Sequence, residues 1–181
     1  MFISQQLRKN NIAEYLLYMW QVEDTIRAFG CSLARIKREY IDKFDYTEEQ
    51  KEELTDWYGH LIRMMNEEGC WETGHLQINK VTMMNLEELH ARLLQSPKFP
   101  FYNAAYYKVL PFIVELRNRG ANKEENEIET CFDALYGVMM LRLQKKPITP
   151  NTEHAVKEIT TLVGMLSDYY KKDREEPLEF E

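Results

Sequence analysis

The pattern Glu-x-x-His, in which a carboxylate and an imidazole stand three residues apart, occurs twice in this sequence. On an α-helix this spacing places both side chains on one face, where they can hold a metal ion between an oxygen and a nitrogen. One copy contains Glu72 and His75, and the other contains Glu87 and His90. The first copy lies in a segment bounded by glycines, which predicts a loop, so only the second copy is expected on a helix.

Two further residues could contribute to a metal site. Glu23 interrupts the apolar stripe of the first predicted helix, and His60 borders the inner face of another helix, so the metal candidates are Glu23, His60, Glu87 and His90. Structural roles are the favoured interpretation. A histidine on an apolar face is usually hydrogen-bonded within the core, and Glu23 could reach solvent or pair with Arg27 four residues on. No cofactor is therefore predicted, and a divalent metal is the alternative.

Six aromatic residues lie close together after the segment Ser96-Pro97. They are Phe99, Phe101, Tyr102, Tyr106, Tyr107 and Phe112. A single inward stripe cannot bury all of them, and Tyr107 falls off the line of Tyr102 and Tyr106. Core packing is the first explanation, but tyrosines are also favoured in ligand pockets and at interfaces. Tyr102, Tyr106 and Tyr107 are accordingly the candidate ligand or interface residues, and a homodimer surface is the next interpretation.

Composition limits the classes of partner. With 30 acidic and 23 basic residues, the net charge is −7, so we expect no binding to nucleic acid or to anionic membranes. No apolar stretch is long enough to span a bilayer. Three widely spaced cysteines do not resemble a disulfide framework or a zinc motif, which predicts a cytoplasmic protein with reduced thiols.

The hydrophobic periodicity predicts one helix after another and no strand. The expected helices run from Asn11 to Gly30, Ser32 to Phe44, Thr47 to Gly69, Leu76 to Gln95, Phe101 to Arg119, Asn122 to Lys146 and Thr149 to Lys172. Gly30 could instead be a bend in one longer helix. Thr47 with Gln50 forms a capping-box pattern, as does Asn122 with Glu125, and Pro111 predicts a kink.

These elements predict an all-α fold, a single-domain bundle of six or seven helices that are mostly antiparallel neighbours. The length of 181 residues suits one domain, which we place at residues 1–172. Residues 173–181 are rich in glutamate and are expected to form a disordered, acidic tail.

The start of the chain resembles a known family. Residues 2–9, FISQQLRK, and residues 11–21, NIAEYLLYMWQ, are similar to the opening of a bacterial all-helical family of about this length that is classed only as a domain of unknown function. The recognisable similarity is confined to the first thirty residues or so, although the common length suggests that the resemblance extends along the chain. It implies a bacterial cytoplasmic protein, and it assigns no activity and no site residue.

The sequence therefore favours a non-enzymatic helical module for binding or scaffolding that self-associates. The alternative is a metal-dependent enzyme, or a metal-binding bundle, that uses carboxylate and histidine ligands. A homodimer and a small-molecule ligand are the partners left open. These hypotheses differ in one structural observation, namely whether Glu23, His60 and His90 lie together.

Overall fold

The computed structural model describes residues 2–118 and 126–181, and in these ranges the chain forms eight α-helices without a strand. The helices are α1 (Phe2–Asn10), α2 (Ile12–Ala28), α3 (Leu33–Glu39), α4 (Glu48–Glu67), α5 (Gln77–Gln95), α6 (Pro100–Asn118), α7 (Glu127–Leu143) and α8 (Pro150–Glu175). A short 3₁₀ turn, Ile41–Lys43, follows α3. The all-α prediction is confirmed, with α1 as an additional element. No described helix combines the length and the apolar character that a membrane crossing requires.

Local signals explain several helix starts. Thr47 and Gln50 form the predicted capping box at α4, in which each side chain bonds the other residue's backbone amide. Thr149 caps α8, whose first residue is Pro150. At α7 the observed cap is Asn126, which accepts a hydrogen bond from the amide of Glu129. The predicted capping-box residues Asn122 and Glu125 lie outside the described residues.

Asn11 separates α1 from α2. Its side-chain oxygen accepts a hydrogen bond of 2.9 Å from the hydroxyl of Ser167 on α8. Ser167 also accepts a bond of 3.5 Å from the amide of Ala13. The preceding helix α1 exposes about half of the side chains of Phe2 and Ile3. Its nine residues are fewer than the window in which apolar periodicity predicts a helix.

The chain divides into two compact units. The first comprises residues 1–10 and 14–82. Within it, α3 packs against α4 and the 3₁₀ turn contacts both helices. Its most deeply buried apolar side chains are Leu16, Met19, Ile26, Ile36, Ile41, Met65 and Leu76. Four of them lie on the apolar stripe of α2 and the inner face of α4, and Ile36, Ile41 and Leu76 come from α3, the 3₁₀ turn and the residue before α5.

The second unit comprises residues 11–13 and 83–181. In it, α6, α7 and α8 pack against one another in pairs. Its fully buried side chains include Leu86, Leu93, Tyr102, Ile113, Phe132, Leu162 and Leu166. Helix α6 continues through Pro111, which lies on its exposed side, and the bend expected there stays a prediction. The single domain over residues 1–172 likewise stays a prediction.

The end of the chain has defined contacts where the sequence predicts a disordered tail. Helix α8 extends to Glu175, beyond the expected end at Lys172. The ring of Phe180 lies 5.3 Å from that of Phe99. The backbone carbonyl of Phe180 accepts a hydrogen bond of 2.7 Å from Ser96. An abundance of glutamate suggested disorder, but Phe180 packs against Phe99 and bonds to Ser96 in the second unit.

Candidate functional site

Glu23, on α2, is completely buried, with 0% of its side chain exposed. One carboxylate oxygen, Oε2, lies 2.6 Å from Nδ1 of His75. The other, Oε1, accepts a bond of 3.0 Å from the amide of Leu76 and one of 2.7 Å from the side chain of Asn79. Leu76 directly precedes α5, so Glu23 acts as an N-terminal cap supplied by a different helix. A carboxylate at a helix N-terminus is favoured because the first amides of the helix lack partners.

This arrangement corrects both structural roles that the sequence suggested for Glu23, which were solvent contact and an ion pair with Arg27. Arg27 instead pairs with Asp24 at 2.8 Å. It also donates to the carbonyls of Cys70 and Gly74, with the Cys70 bond at 3.0 Å. Arg27 therefore holds the loop that precedes α5, while Glu23 holds the start of the helix itself.

The loop of residues 69–76 needs glycine at its turns. Gly69 has a φ of +69° and Gly74 a φ of +84°, which are left-handed conformations that other residues rarely adopt. The turn at Gly74 directs its carbonyl toward Arg27 and brings the next residue, His75, to Glu23. The two glycines that predicted a loop thus form the turns of the segment that places the imidazole of His75 beside the carboxylate of Glu23.

The imidazole of His75 is held in one orientation. Its ring stacks on Trp20, with the ring centres 4.2 Å apart and the planes at 14°. Because an ionised carboxylate only accepts hydrogen bonds, Nδ1 of His75 is the donor in this contact. The side chain is 29% exposed. A carboxylate–imidazole pair of this kind can orient a base or a metal ligand.

A metal centre would need more ligands than this pair. Among the residues that the structure describes, no group of three or more His, Cys, Asp or Glu side chains is placed to hold a metal ion. Of the predicted metal ligands, His60 is exposed on α4 and Glu87 is half-buried on α5. Glu23 and His90 have different partners, so the four candidates are not brought together in one group.

His90 lies on α5 in the second unit and is only 7% exposed. Its Nδ1 is 2.6 Å from the hydroxyl of Tyr102. Its Nε2 is 3.7 Å from a carboxylate oxygen of Glu127, the first residue of α7. Burial lowers the pKa of His90 despite the nearby charge of Glu127, so the neutral imidazole is favoured. In that form Tyr102 donates to Nδ1, and the N–H at Nε2 faces Glu127.

The three candidate tyrosines have different surroundings. Tyr102 is fully buried, and burial raises the pKa of its hydroxyl above the usual value, which keeps it a donor to His90. Tyr106 is half-buried, with its ring centre 5.3 Å from that of His90. Burial and a hydrogen bond to Glu127 raise the pKa of Tyr106 to about 12. Tyr107 is exposed, as its position off the line of the other two suggested. Tyr102 and Tyr106 thus belong to a buried polar cluster, and Tyr107 belongs to the surface.

Sequence reasoning missed three partners of these groups, namely His75, Asn79 and Glu127. The spacing of Glu72 and His75 did draw attention to this histidine, but the carboxylate that binds it is Glu23. Each missed contact joins residues on different elements, so no local pattern could identify it. The signal available was the buried position of Glu23 in an apolar stripe, because a buried carboxylate requires a partner.

Helix α6 carries a face of exposed side chains, here called the outer face of α6. It consists of Phe101, Ala104, Tyr107, Lys108, Pro111, Val114 and Glu115. Phe101 is 81% exposed, Tyr107 66% and Val114 51%. An open groove of about 540 Å³ adjoins this face, lined by Leu94, Gln95, Ser96, Pro97, Pro100, Asn103, Ala104 and Tyr107. The outer face and the groove form a largely apolar surface.

Comparison with known proteins identifies a family but no activity. The family described as Domain of unknown function (DUF4924) matches residues 1–177, a range that contains all eight described helices. No curated protein and no solved structure matches the chain.

Proposed function

We propose that this chain, which belongs to the family described as Domain of unknown function (DUF4924), is a non-enzymatic binding module that self-associates as a homodimer through the outer face of α6. The single observation that carries the proposal is the exposure of three large apolar side chains along this face. A bacterial, cytoplasmic setting is part of the proposal.

The exposed side chains in question are Phe101, Tyr107 and Val114. Single apolar residues on a surface are common and need no explanation. Tyr107 and Val114 are seven residues apart and lie nearly in line on the helix, whereas Phe101 lies at the opposite edge of the exposed face, across Ala104 and Lys108. Exposed apolar side chains on one face of a helix favour association because they are in contact with water. Removing apolar area from water is favourable by roughly 25 cal/mol for each Å², and the entropy that two copies lose on association offsets part of this gain. Aromatic side chains are also enriched at the centres of protein interfaces.

The charges on this face favour a second copy as the occupant. Lys108 and Glu115 are both exposed and lie almost symmetrically about Pro111. In an antiparallel pair of α6 helices related by a two-fold axis near Pro111, Lys108 of each copy faces Glu115 of the other. A two-fold interface uses the same patch twice, so it requires such self-complementarity. Ala104, one turn before Lys108, is small enough to allow close approach of the two helices.

The cysteines support the proposed cytoplasmic setting. Cys31, Cys70 and Cys131 are free thiols, and a reducing compartment maintains thiols in that form. Burial raises the pKa of Cys70 and raises that of Cys131 to about 12, so both are held as unreactive thiols. Their role is consistent with packing as small apolar groups.

Charge reversal tests the proposed interface. Sedimentation equilibrium of the wild-type chain should show a dimer in the micromolar range. The variants Lys108→Glu and Glu115→Lys each place like charges opposite one another and should weaken the dimer about tenfold or more. The double variant should restore the wild-type affinity, since the pairs are again opposite in sign. Lys157→Glu, on the exposed side of α8, is the matched control for net charge. A wild-type monomer at micromolar concentration, or a double variant no better than the single ones, would overturn the proposal.

A further inference from the structure

The last six residues, 176–181, turn back along the second unit after α8 ends. Glu176 has an extended conformation, with φ −150° and ψ 120°. The amide of Leu178 donates a hydrogen bond of 2.8 Å to the carboxylate of Asp173 on α8. This bond fixes the direction in which the chain leaves the helix, and it brings Phe180 to the junction between α5 and α6.

Phe180 makes three different kinds of contact at that junction. Its ring lies against Phe99, with the ring centres 5.3 Å apart. The guanidinium of Arg92 sits over the same ring, 4.1 Å from its centre. The carbonyl of Phe180 accepts a hydrogen bond of 2.7 Å from the hydroxyl of Ser96. A tilted ring–ring contact, a cation–π contact and a backbone hydrogen bond together recognise an aromatic residue in an extended segment.

The charges of the segment match those of the surface beneath it. Glu176, Glu179 and Glu181 make the segment acidic. The cations beneath it are Lys98 and Arg92, and Arg92 also pairs with Asp173 on α8 at 3.6 Å. Lys98 lies 3.5 Å from a carboxylate oxygen of Glu179. This pair is largely exposed, so it contributes less to binding than the contacts of Phe180. The positive charge of Lys98 favours an acidic segment because it would repel a basic one.

The contacts of residues 176–181 are few compared with those of a core element. The segment lies outside every helix, and Phe180 itself stays half-exposed. Segments with few buried contacts open locally at a small free-energy cost while the rest of the chain stays folded.

We propose that Arg92, Ser96 and Phe99 form a peptide-binding site for an extended, acidic protein segment that contains a phenylalanine. Residues 176–181 are its resident occupant, and a partner's segment of the same chemistry displaces them. This site differs from the pairing of α6 helices in its recognition residue, Phe180, which the α6 interface does not use, while Ser96 also lines the groove that adjoins the outer face of α6.

A labelled peptide with the sequence of residues 174–181 tests the site by fluorescence anisotropy. The full-length variant Phe180→Ala should bind this probe, because its own segment no longer competes. The wild-type chain should bind the probe at least about tenfold more weakly, since a tethered occupant has a high effective concentration. A probe in which the phenylalanine is replaced by alanine should not bind either protein.

Further variants, made in the Phe180→Ala background, identify the binding surface. Arg92→Ala should weaken the probe's binding about fivefold or more, and Ser96→Ala should weaken it by a similar factor. Arg63→Ala, at an exposed position on α4, is the matched control and should leave binding unchanged. Circular dichroism checks that each variant is folded, and Phe180→Leu replaces Phe180→Ala if the latter is not. A folded variant that fails to bind the probe, or binds the alanine probe equally well, would overturn the proposal.

Discussion

Replacing Glu23 by alanine should destabilise the first unit more than any surface substitution. The carboxylate is fully buried and is the shared acceptor for His75, Leu76 and Asn79. The alanine variant lacks the carboxylate that accepts these three hydrogen bonds, and water is largely excluded from this region. The substitution also removes the negative charge that caps the start of α5.

The magnitude follows from the hydrogen bonds that the alanine substitution removes. A hydrogen bond to a charged group contributes about 1.5–3 kcal/mol, and removing one partner of a buried charged network costs about 3–5 kcal/mol in total. We therefore expect Glu23→Ala to lower the free energy of unfolding by about 3–5 kcal/mol. Glu23→Gln keeps an oxygen for Leu76 and Asn79 and loses the charge, so it should cost about 1–2 kcal/mol.

Urea denaturation, monitored by tryptophan fluorescence, measures the loss of unfolding free energy in the first unit. All three tryptophans, Trp20, Trp57 and Trp71, belong to the first unit. The slope of the transition should stay unchanged, so that a shift in its midpoint reports stability alone. Glu88→Ala, at an exposed position on α5, is the control and should change stability by less than about 0.5 kcal/mol. A loss below about 1 kcal/mol in Glu23→Ala would refute the reasoning.

Two further predictions concern the pH dependence and the loop before α5. Burial lowers the pKa of His90, so as the pH falls the unfolded chain takes up a proton at this residue before the folded chain does. The contribution of His90 to the free energy of unfolding is therefore complete above about pH 6.5 and is lost as the pH falls below that value. Urea unfolding at about pH 7.5 and 5 should thus differ less in His90→Gln than in the wild type; equal differences would contradict this. Gly74→Ala should lower the free energy of unfolding by about 1–2 kcal/mol, because Gly74 has a φ of +84°. Gly137 is exposed and lies in the middle of α7, so Gly137→Ala should raise the free energy of unfolding by about 0.5–1 kcal/mol. Thermal unfolding of both variants checks the signs, and a stabilised Gly74→Ala would contradict the assignment of strain.

Much of the helical architecture follows from local patterns. The Thr47–Gln50 capping box and the Thr149–Pro150 start were predicted from spacing alone, because each cap bonds amides within the next three residues. The apolar periodicity likewise predicted α4, α5 and α6 to within a few residues. Periodicity did not reveal α1, because its nine residues are fewer than the window in which a helical period is recognised. The all-α character of the fold and the positions of most helices therefore follow from short stretches of sequence.

The contacts of Glu23 and Phe180 depend on the folded chain. Glu23 and His75 are 52 residues apart, and the local pattern paired that histidine with Glu72 instead. Ser96 and Phe180 are 84 residues apart, and composition suggested a disordered tail where the structure shows a docked ring. Periodicity identifies which face of a helix is buried, but it does not specify which distant residue covers that face. A buried carboxylate such as Glu23 requires a partner. Which residue becomes that partner is determined only when packing brings remote segments of the chain together.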